Sequence, residues 1–556
     1  VLAPRRSLLY CALPGAYGAL LLGCLAFTPS LLPRPAVFQG MVAGVTSAIG
    51  YGVGVLAAYV WRELVEREAR EPSRRSWAVF AGVATVGVVA SLVLGWRWQH
   101  EVRTLMGMPD EPWPWLLVIP FVWGLVTLLL VMLGRATVWV YRRLVRLLDR
   151  ALGERAAKVI GLAVLVGLLV AAVDGVLFER LRAGADDVFS YRNLLTPDGI
   201  TRPVERERSG SDASLIAWDT LGREGQVFVA SGPRAADIAS YTVGRATGGA
   251  ATGRTAAEPV RVFAGLASAG DVTDRAALVV DDLVRAGGFE RSRLLVTTTT
   301  GSGWVEPTSV AAFEYLGGGD TATVALQYSS FPSWISYLVD QEQARDAGRE
   351  LFDAVYARWS AMPADARPEL YVFGESLGSF GAEAAFSGAY DLANRTSGAL
   401  FVGPPSFNPL WGRFVRDREA GTTEILPQYR DGARVRFARR ASDPVPPKGQ
   451  PWDGPRILYL QHASDPIVWW NQALLLTRPD WLGEERGPDV LDSVRWIPLV
   501  TFWQVTADMA LGTKVPAGHG HVYAGEHVDA WATILRTPGW TPEESRRLRA
   551  LVATTE

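Results

Sequence analysis

The sequence predicts an α/β domain, with a mostly parallel sheet and helices on both faces, preceded by an all-α transmembrane domain of five helices. Three observations carry this prediction. Five apolar stretches crowd the first 180 residues. Short β-branched runs then alternate with helical patterns along the rest of the chain. A Gly374-Glu375-Ser376-Leu377-Gly378 sequence sits where one such run meets a helix. The expected division is a helical membrane domain over 1–180, a polar connector over 181–225 and an α/β domain over 226–556.

The apolar windows run 8–27, 39–60, 78–95, 113–134 and 157–177. Each approaches the ~20 residues that cross a hydrocarbon core as a helix. The first begins like a signal peptide, with Arg5 and Arg6 ahead of it, but four further stretches argue against cleavage and secretion. A set of buried helices in a soluble protein is the alternative, and length, repetition and near-absence of charge weigh against it. Trp61, Trp77, Trp96, Trp98, Trp113 and Trp115 fall near the ends of the stretches, where interfacial anchors sit.

Loop charge predicts the orientation. Residues 62–75 carry Arg62, Arg67, Arg70, Arg74 and Arg75, and residues 135–158 carry Arg135, Arg142, Arg143, Arg146, Arg150, Arg155 and Lys158. The alternate loops hold only Arg34 in one and Arg97 and Arg103 in the other. The N-terminus and the Arg-rich loops are therefore expected in the cytoplasm, and five crossings place the domain after residue 180 outside the cell membrane. The 135–158 segment reads as an interfacial amphipathic helix facing anionic lipid headgroups. No span carries paired acids, which weakens a transporter reading; Asp174 falls close to the outer interface.

The chain has 556 residues and a formal net charge of −2, so no basic field argues for nucleic acid. Its two cysteines, Cys11 and Cys24, lie together in the first apolar stretch and build neither a disulfide scaffold nor a cysteine metal site. Oligomeric state is not legible.

In the α/β region, strands are expected at 227–230, 260–266, 294–299, 323–328, 370–373, 398–403 and 456–461, with helices at 273–287, 332–345, 347–360, 377–391 and 525–536. Ser376 follows the strand 370–373, and Gly374 and Gly378 supply the small volume of a sharp strand-to-helix turn. That context makes Ser376 the candidate nucleophile, with its hydroxyl above the sheet; a chemically silent Gly/Ser turn is the alternative. The acid should follow a later strand and the histidine should come last. Asp465, in His462-Ala463-Ser464-Asp465-Pro466 after the strand 456–461, is the candidate acid, with Asp443 behind it.

The base is expected in Pro516-Ala517-Gly518-His519-Gly520-His521. His521 is preferred over His519; His462 reads as structural or pocket-lining. Ser376 would pass its proton to this histidine, whose ring Asp465 holds. The oxyanion donors are expected from the N–H of Leu377 and from Gly301 or Ser302 in the Thr300–Trp304 turn; an ordinary glycine turn is as good a reading of the latter. No cofactor is expected. A metal site at His519, His521 and His527 would leave Ser376 unexplained.

These motifs form a longer series. It includes Thr28–Arg34, Trp218–Gly225, Thr300–Trp304, Gln327-Tyr328-Ser329, Gly374–Gly378, Tyr459–Pro466 and Gly520–Tyr523. In this series the chain resembles the actinobacterial alpha/beta-hydrolase family with an N-terminal transmembrane domain. The resemblance implies Ser376 as nucleophile, Asp465 as acid and His521 as base. It also implies a membrane lipid substrate, in some members an aminoacyl ester on phosphatidylglycerol or diacylglycerol. A cationic aminoacyl group needs a nearby carboxylate, for which Glu375, Glu314 and Asp320 are candidates; Glu375 packed structurally behind the elbow is at least as good a reading. Trp304, Trp334, Trp469 and Trp470 would line a lipid entrance or complete the core. The expectation is a membrane-anchored serine esterase; a serine acyltransferase using a lipid or sugar hydroxyl is the alternative, and a non-catalytic scaffold comes third.

Overall fold

The computed structural model describes residues 12–67, 71–171, 180, 184, 189–246, 256–333, 335–336, 341–440, 443 and 451–553. Cys11, Asp174 and Trp334 lie outside these. The chain divides into two compact units, one of residues 1–183 with 470–516 and the other of residues 184–469 with 517–556. This differs from the division read in the sequence, because 470–516 belongs with the N-terminal helices.

The first unit contains helices α1 (Leu13–Leu25), α2 (Ala36–Leu64), α3 (Arg74–Leu105), α4 (Val118–Leu152) and α5 (Glu154–Val170). Among the described residues, three of them, α2, α3 and α4, are long and apolar enough to cross a membrane, at 29, 32 and 35 residues. At 1.5 Å per residue each exceeds the ~30 Å of a hydrocarbon core. Their ends are written locally. Ser73 caps α3 by accepting from the Ser76 N–H at 3.1 Å. Gly153, at φ +75°, ends α4 and lets α5 start at once. The 135–158 segment is thus not a separate interfacial helix. Its larger part continues α4, with Arg142, Arg143, Arg146 and Arg150 exposed.

Small residues set the packing, as in membrane bundles generally. A Cβ on Gly44 would stand 2.5 Å from Val126 Cβ, and one on Gly18 would stand 2.1 Å from the Gly50 carbonyl oxygen. The Trp123 indole donates to Ser47 Oγ at 2.7 Å between α4 and α2.

The helix Thr501–Met509 packs on the α1–α2 loop through one buried carboxylate. Asp508 accepts from the Leu31 N–H at 3.1 Å and from the Ser30 hydroxyl, and lies 4.0 Å from Arg34 Nε, with both charged side chains fully buried. Arg34 also donates to the Thr28 carbonyl at 3.1 Å. Val500, Ile497 and Trp503 join the apolar cluster of Ala26, Phe27, Ala36 and Trp123.

The second unit is built on a seven-stranded parallel sheet. Its strands are β1 (Val260–Ala264), β2 (Arg293–Thr298), β3 (Thr321–Leu326), β4 (Glu369–Glu375), β5 (Gly398–Val402), β6 (Val435–Ala438) and β7 (Arg456–Leu460), in the order β1-β3-β2-β4-β5-β7-β6. β4 is central, so its carboxyl end is flanked by the ends of β2 and β5. The strands are almost wholly buried, as a parallel sheet covered on both faces requires.

Several local expectations change. Residues 227–230 are not a strand but the end of the helix Gly222–Ala230, whose buried Gly225, Phe228 and Val229 share one face at helical spacing. The 377–391 helix is broken into Leu377–Glu383 and Ala389–Arg395, the second starting where the Ser387 N–H donates to Asp391 at 2.8 Å. Residues 341–360 form one helix instead of two, and most of 332–340 lies outside the described residues. The expected connector is fastened to the sheet edge. Ser209 N–H donates to the Arg261 carbonyl at 3.0 Å, and buried Arg208 donates to the carbonyls of Val229 and Pro233 at 2.9 and 3.1 Å.

Asp508→Ala leaves Arg34 buried without its countercharge, a change that costs about 3–5 kcal/mol in comparable buried pairs. The expected outcome is a large drop in thermal unfolding temperature of the purified protein in detergent. An unchanged transition would show that the 470–516 segment is not held by this pair.

Candidate active site

The site starts from a steric constraint at the end of β4. The helix Leu377–Glu383 lies so close to the sheet that a Cβ on Gly374 would be 2.5 Å from the Gly378 carbonyl oxygen, and one on Gly378 2.4 Å from the Thr298 carbonyl oxygen. The chain reverses between these glycines, and Ser376 absorbs the turn at φ +53°, ψ −129°. A non-glycine residue rarely adopts positive φ, and such strain collects at functional sites. Ser376 N–H donates to the Val402 carbonyl at 2.8 Å, tying the turn to the end of β5. Its side chain is half-buried. Leu377 opens the helix, where backbone N–H groups have no intrahelical acceptor.

Asp465 is fully buried in the loop after β7. Its Oδ1 accepts from the Ile467 N–H at 2.8 Å. Its Oδ2 is 2.7 Å from His521 Nδ1 and accepts from the Tyr523 hydroxyl, also at 2.7 Å. With Nδ1 committed to Asp465, Nε2 is the nitrogen left for proton transfer. The His521 ring lies against the end of β5, because a Cβ on Gly403 would stand 2.5 Å from its Cε1. Gly403, at φ +52°, follows Val402, the acceptor of the Ser376 N–H. Ser376 and His521 are thus both anchored on consecutive residues at one strand end.

Of the histidines weighed in the sequence, His521 is the one paired with Asp465. His519 is in an adjoining turn, bridged to Val522. His462 stacks on Tyr523 at 4.0 Å, with Nδ1 2.8 Å from the Gly520 carbonyl and Nε2 3.0 Å from Glu526. It braces the loop that carries His521. Asp443 instead accepts from the Arg439 N–H at 2.8 Å.

Behind the elbow, where Glu375 could be expected to pack, lies a second group of ionisable side chains whose partners sequence reasoning missed. Glu375 Oε2 is 2.8 Å from His527 Nε2, and His527 Nδ1 is 3.3 Å from Thr308 Oγ, which donates to Glu306 at 2.6 Å. Burial, reinforced by the Glu375 charge, pushes the Glu306 carboxyl up to about 7. At His521, burial disfavours the charged ring, but Asp465, backed by Glu375 and Glu306, outweighs it and holds the ring above its ordinary value. His527 is raised in the same sense, its burial outweighed by Glu375. The signal in the sequence was the acid directly before the serine; its partners come from distant segments.

Other expectations change here. The Gly301 N–H donates to the Tyr328 hydroxyl at 2.8 Å, and the turn around it closes with Thr300 N–H on the Trp304 carbonyl at 3.0 Å. None of the carboxylates considered for a substrate amine is open. Glu375 pairs with His527, Glu314 pairs with Arg261 at 2.7 Å, and Asp320 accepts from the Ser292 N–H at 3.0 Å, ahead of β3 and so at the amino-terminal end of the strands, opposite the end that carries Ser376. Trp469 is core, its indole donating to the His462 carbonyl at 3.1 Å. Among the described residues, no group of three His, Cys, Asp or Glu side chains is placed to hold a metal ion.

Asp465→Asn removes the carboxylate that opposes burial at His521. With His521 as general base, activity would rise with pH as the ring loses its proton. The acidic limb of log kcat/KM should therefore move to lower pH, while kcat falls by roughly 10⁴ as the imidazole tautomer is lost. Gly403→Ala would drive a methyl group into the His521 ring at a left-handed position. A loss of kcat of about 100-fold is expected from so small a displacement, with KM little changed in steady-state kinetics.

Comparison with known proteins supplies an independent finding. Residues 260–548 match the alpha/beta-hydrolase family, and residues 27–233 match the alpha/beta-hydrolase family N-terminus. No curated protein matches, and no solved structure matches. The two family matches join a hydrolase sheet to span-like helices in one chain, as the architecture does: the protein belongs to the alpha/beta-hydrolase family.

Proposed function

We propose that the protein is a membrane-anchored serine esterase that hydrolyses a lipid-linked ester through an acyl-enzyme on Ser376. The observation that carries this reading is the 2.7 Å Asp465–His521 pair, its ring packed on Gly403 beside the strained Ser376 turn. Ser376 Oγ attacks the ester carbonyl as His521 Nε2 takes its proton. The tetrahedral intermediate places its oxyanion on the Leu377 N–H. A second donor from the 301–302 turn is part of the proposal; Gly301 would exchange Tyr328 for the oxyanion. Collapse of the intermediate expels the lipid alcohol, which leaves with the proton from His521. A water molecule then attacks the acyl-enzyme, gives its proton to His521 and releases the carboxylic acid and free Ser376.

The lipid substrate is supported by the three span-like helices, which would hold the enzyme in the plane where its substrate diffuses. An extracytoplasmic position for the catalytic unit is supported by the arginine bias of the loops. The helix Thr501–Met509 packs on the arginine-poor α1–α2 loop, the side that this bias puts outside. The exposed arginines of α4 would then meet anionic headgroups on the cytoplasmic face. Aminoacylated phosphatidylglycerol or diacylglycerol remains the finer substrate reading; it rests on the resemblance, since the three carboxylates named for an amine are otherwise engaged.

The test uses the full-length protein in vesicles containing aminoacylated and ordinary glycerolipids, with and without a competing alcohol. Ser376→Ala should lower release of the acyl product by roughly 10⁴-fold or more and abolish labelling by a fluorophosphonate. Transfer of the acyl group to the alcohol in place of water would assign an acyltransferase. Equal turnover by both proteins would remove Ser376 as the nucleophile.

A further inference from the structure

The helical unit contains a groove that the reaction above does not use. It runs along α1 and α2, has a volume of about 710 Å³, and includes Leu21, Leu25, Val53, Ala57, Ile497 and Leu499 in its lining. That volume is within the ~300–1,000 Å³ range of ligand-binding pockets. Tyr17 is the one side chain in the lining that carries a polar atom.

The floor stays open for a steric reason. Gly18, Gly50 and Gly54 bring the two backbones into contact: a Cβ on Gly54 would stand 2.3 Å from the Pro14 carbonyl oxygen, and one on Gly18 2.1 Å from that of Gly50. No side chain from these positions can fill the space. The walls remain uncovered, with Leu21 60% and Val53 47% exposed.

One end of the groove is formed by Ile497-Pro498-Leu499, from the segment between Asp465 and His521 in sequence. Ile497 packs on the same cluster as Leu22 and Leu25. Leu499 holds φ +63°, and its N–H donates to the Leu475 carbonyl at 2.9 Å. A branched side chain at positive φ persists only where its surroundings fix it.

We propose that this groove binds an acyl chain of a bilayer lipid, with Ile497–Leu499 as its stop. The proposal deepens the esterase reading and rests on that reading's placement of α2 in the membrane. A charged or strongly hydrogen-bonding ligand would lose its hydration there without finding partners, whereas hydrocarbon is the solvent of a span-like helix. The stop lies just ahead of the helix Thr501–Met509, which carries Asp508.

The experiment uses the full-length protein in phosphatidylcholine vesicles doped with a phospholipid that carries a diazirine in its acyl chain. After irradiation, digestion and mass spectrometry, label should concentrate severalfold on 14–25, 50–58 and 497–499 relative to the exposed face of α3 around Val86. Ala57→Trp, which fills the groove, should lower that label severalfold; Leu56→Trp, exposed but outside the lining, should not. Even labelling of all exposed apolar faces would overturn the proposal as ordinary annular lipid. So would disulfide trapping of two Leu21→Cys copies across the groove, which would make it a contact between chains. Groove labelling without Ser376-dependent hydrolysis would leave this site standing and remove the esterase; hydrolysis without groove labelling would do the reverse.

Discussion

The close approach of the helix Leu377–Glu383 to the sheet is the constraint on which the hydrolase unit depends. With 2.5 Å or less between a hypothetical Cβ at 374 or 378 and the facing carbonyls, only glycine fits either position. That proximity forces the reversal at Ser376. The energy of its backbone strain, about 1–3 kcal/mol for such outliers, is offset by the burial of both flanking elements. The second layer of the constraint is equally tight: a Cβ on Gly381 would stand 2.4 Å from the Ala344 carbonyl oxygen, which fixes the helix Gln341–Ser360 against its back. The serine is therefore positioned by packing that extends two layers away from it.

Charge is arranged around this frame in separate compartments. Asp465 serves His521 on one side of Ser376, and Glu375 with Glu306 surrounds His527 behind it. A third buried carboxyl, Glu383, accepts from Asn408, Tyr459 and the Leu410 N–H at 3.1, 2.8 and 2.8 Å, and burial pushes it up to about 7. It links the elbow helix to β7, the strand that delivers Asp465. Each buried acid is hydrogen-bonded, as low-dielectric surroundings demand.

Much of the sheet and the elbow was legible because their signals are local. β-Branched runs mark β2 and β3, and the paired glycines mark the turn at 376. The acid loop follows directly from the strand Arg456–Leu460. What could not be read depends on distant partners. The 470–516 segment has the composition of an ordinary loop-rich insertion, and its membership in the helical unit is decided by Asp508 meeting Ser30 and Leu31, more than 470 residues away. Glu375 reads as a possible ligand for an amine until His527 arrives from a helix 152 positions later. The 227–230 run fits either secondary structure, and a close approach decides it: a Cβ on Gly225 would stand 2.5 Å from the Phe263 ring.

The placement of 470–516 bears on how the protein can be made. A chain shortened to begin near residue 184 would retain all seven strands, Ser376, Asp465 and His521. It would also retain Ile497, Val500 and Trp503 without the Ala26, Phe27 and Ala36 surface that covers them, and an Asp508 carboxylate without Arg34. The fifty-five residues connecting Asp465 to His521 would carry an uncovered apolar face. Folding of the chain between Asp465 and His521 is thereby tied to assembly of the helices, since residues 470–516 belong with them.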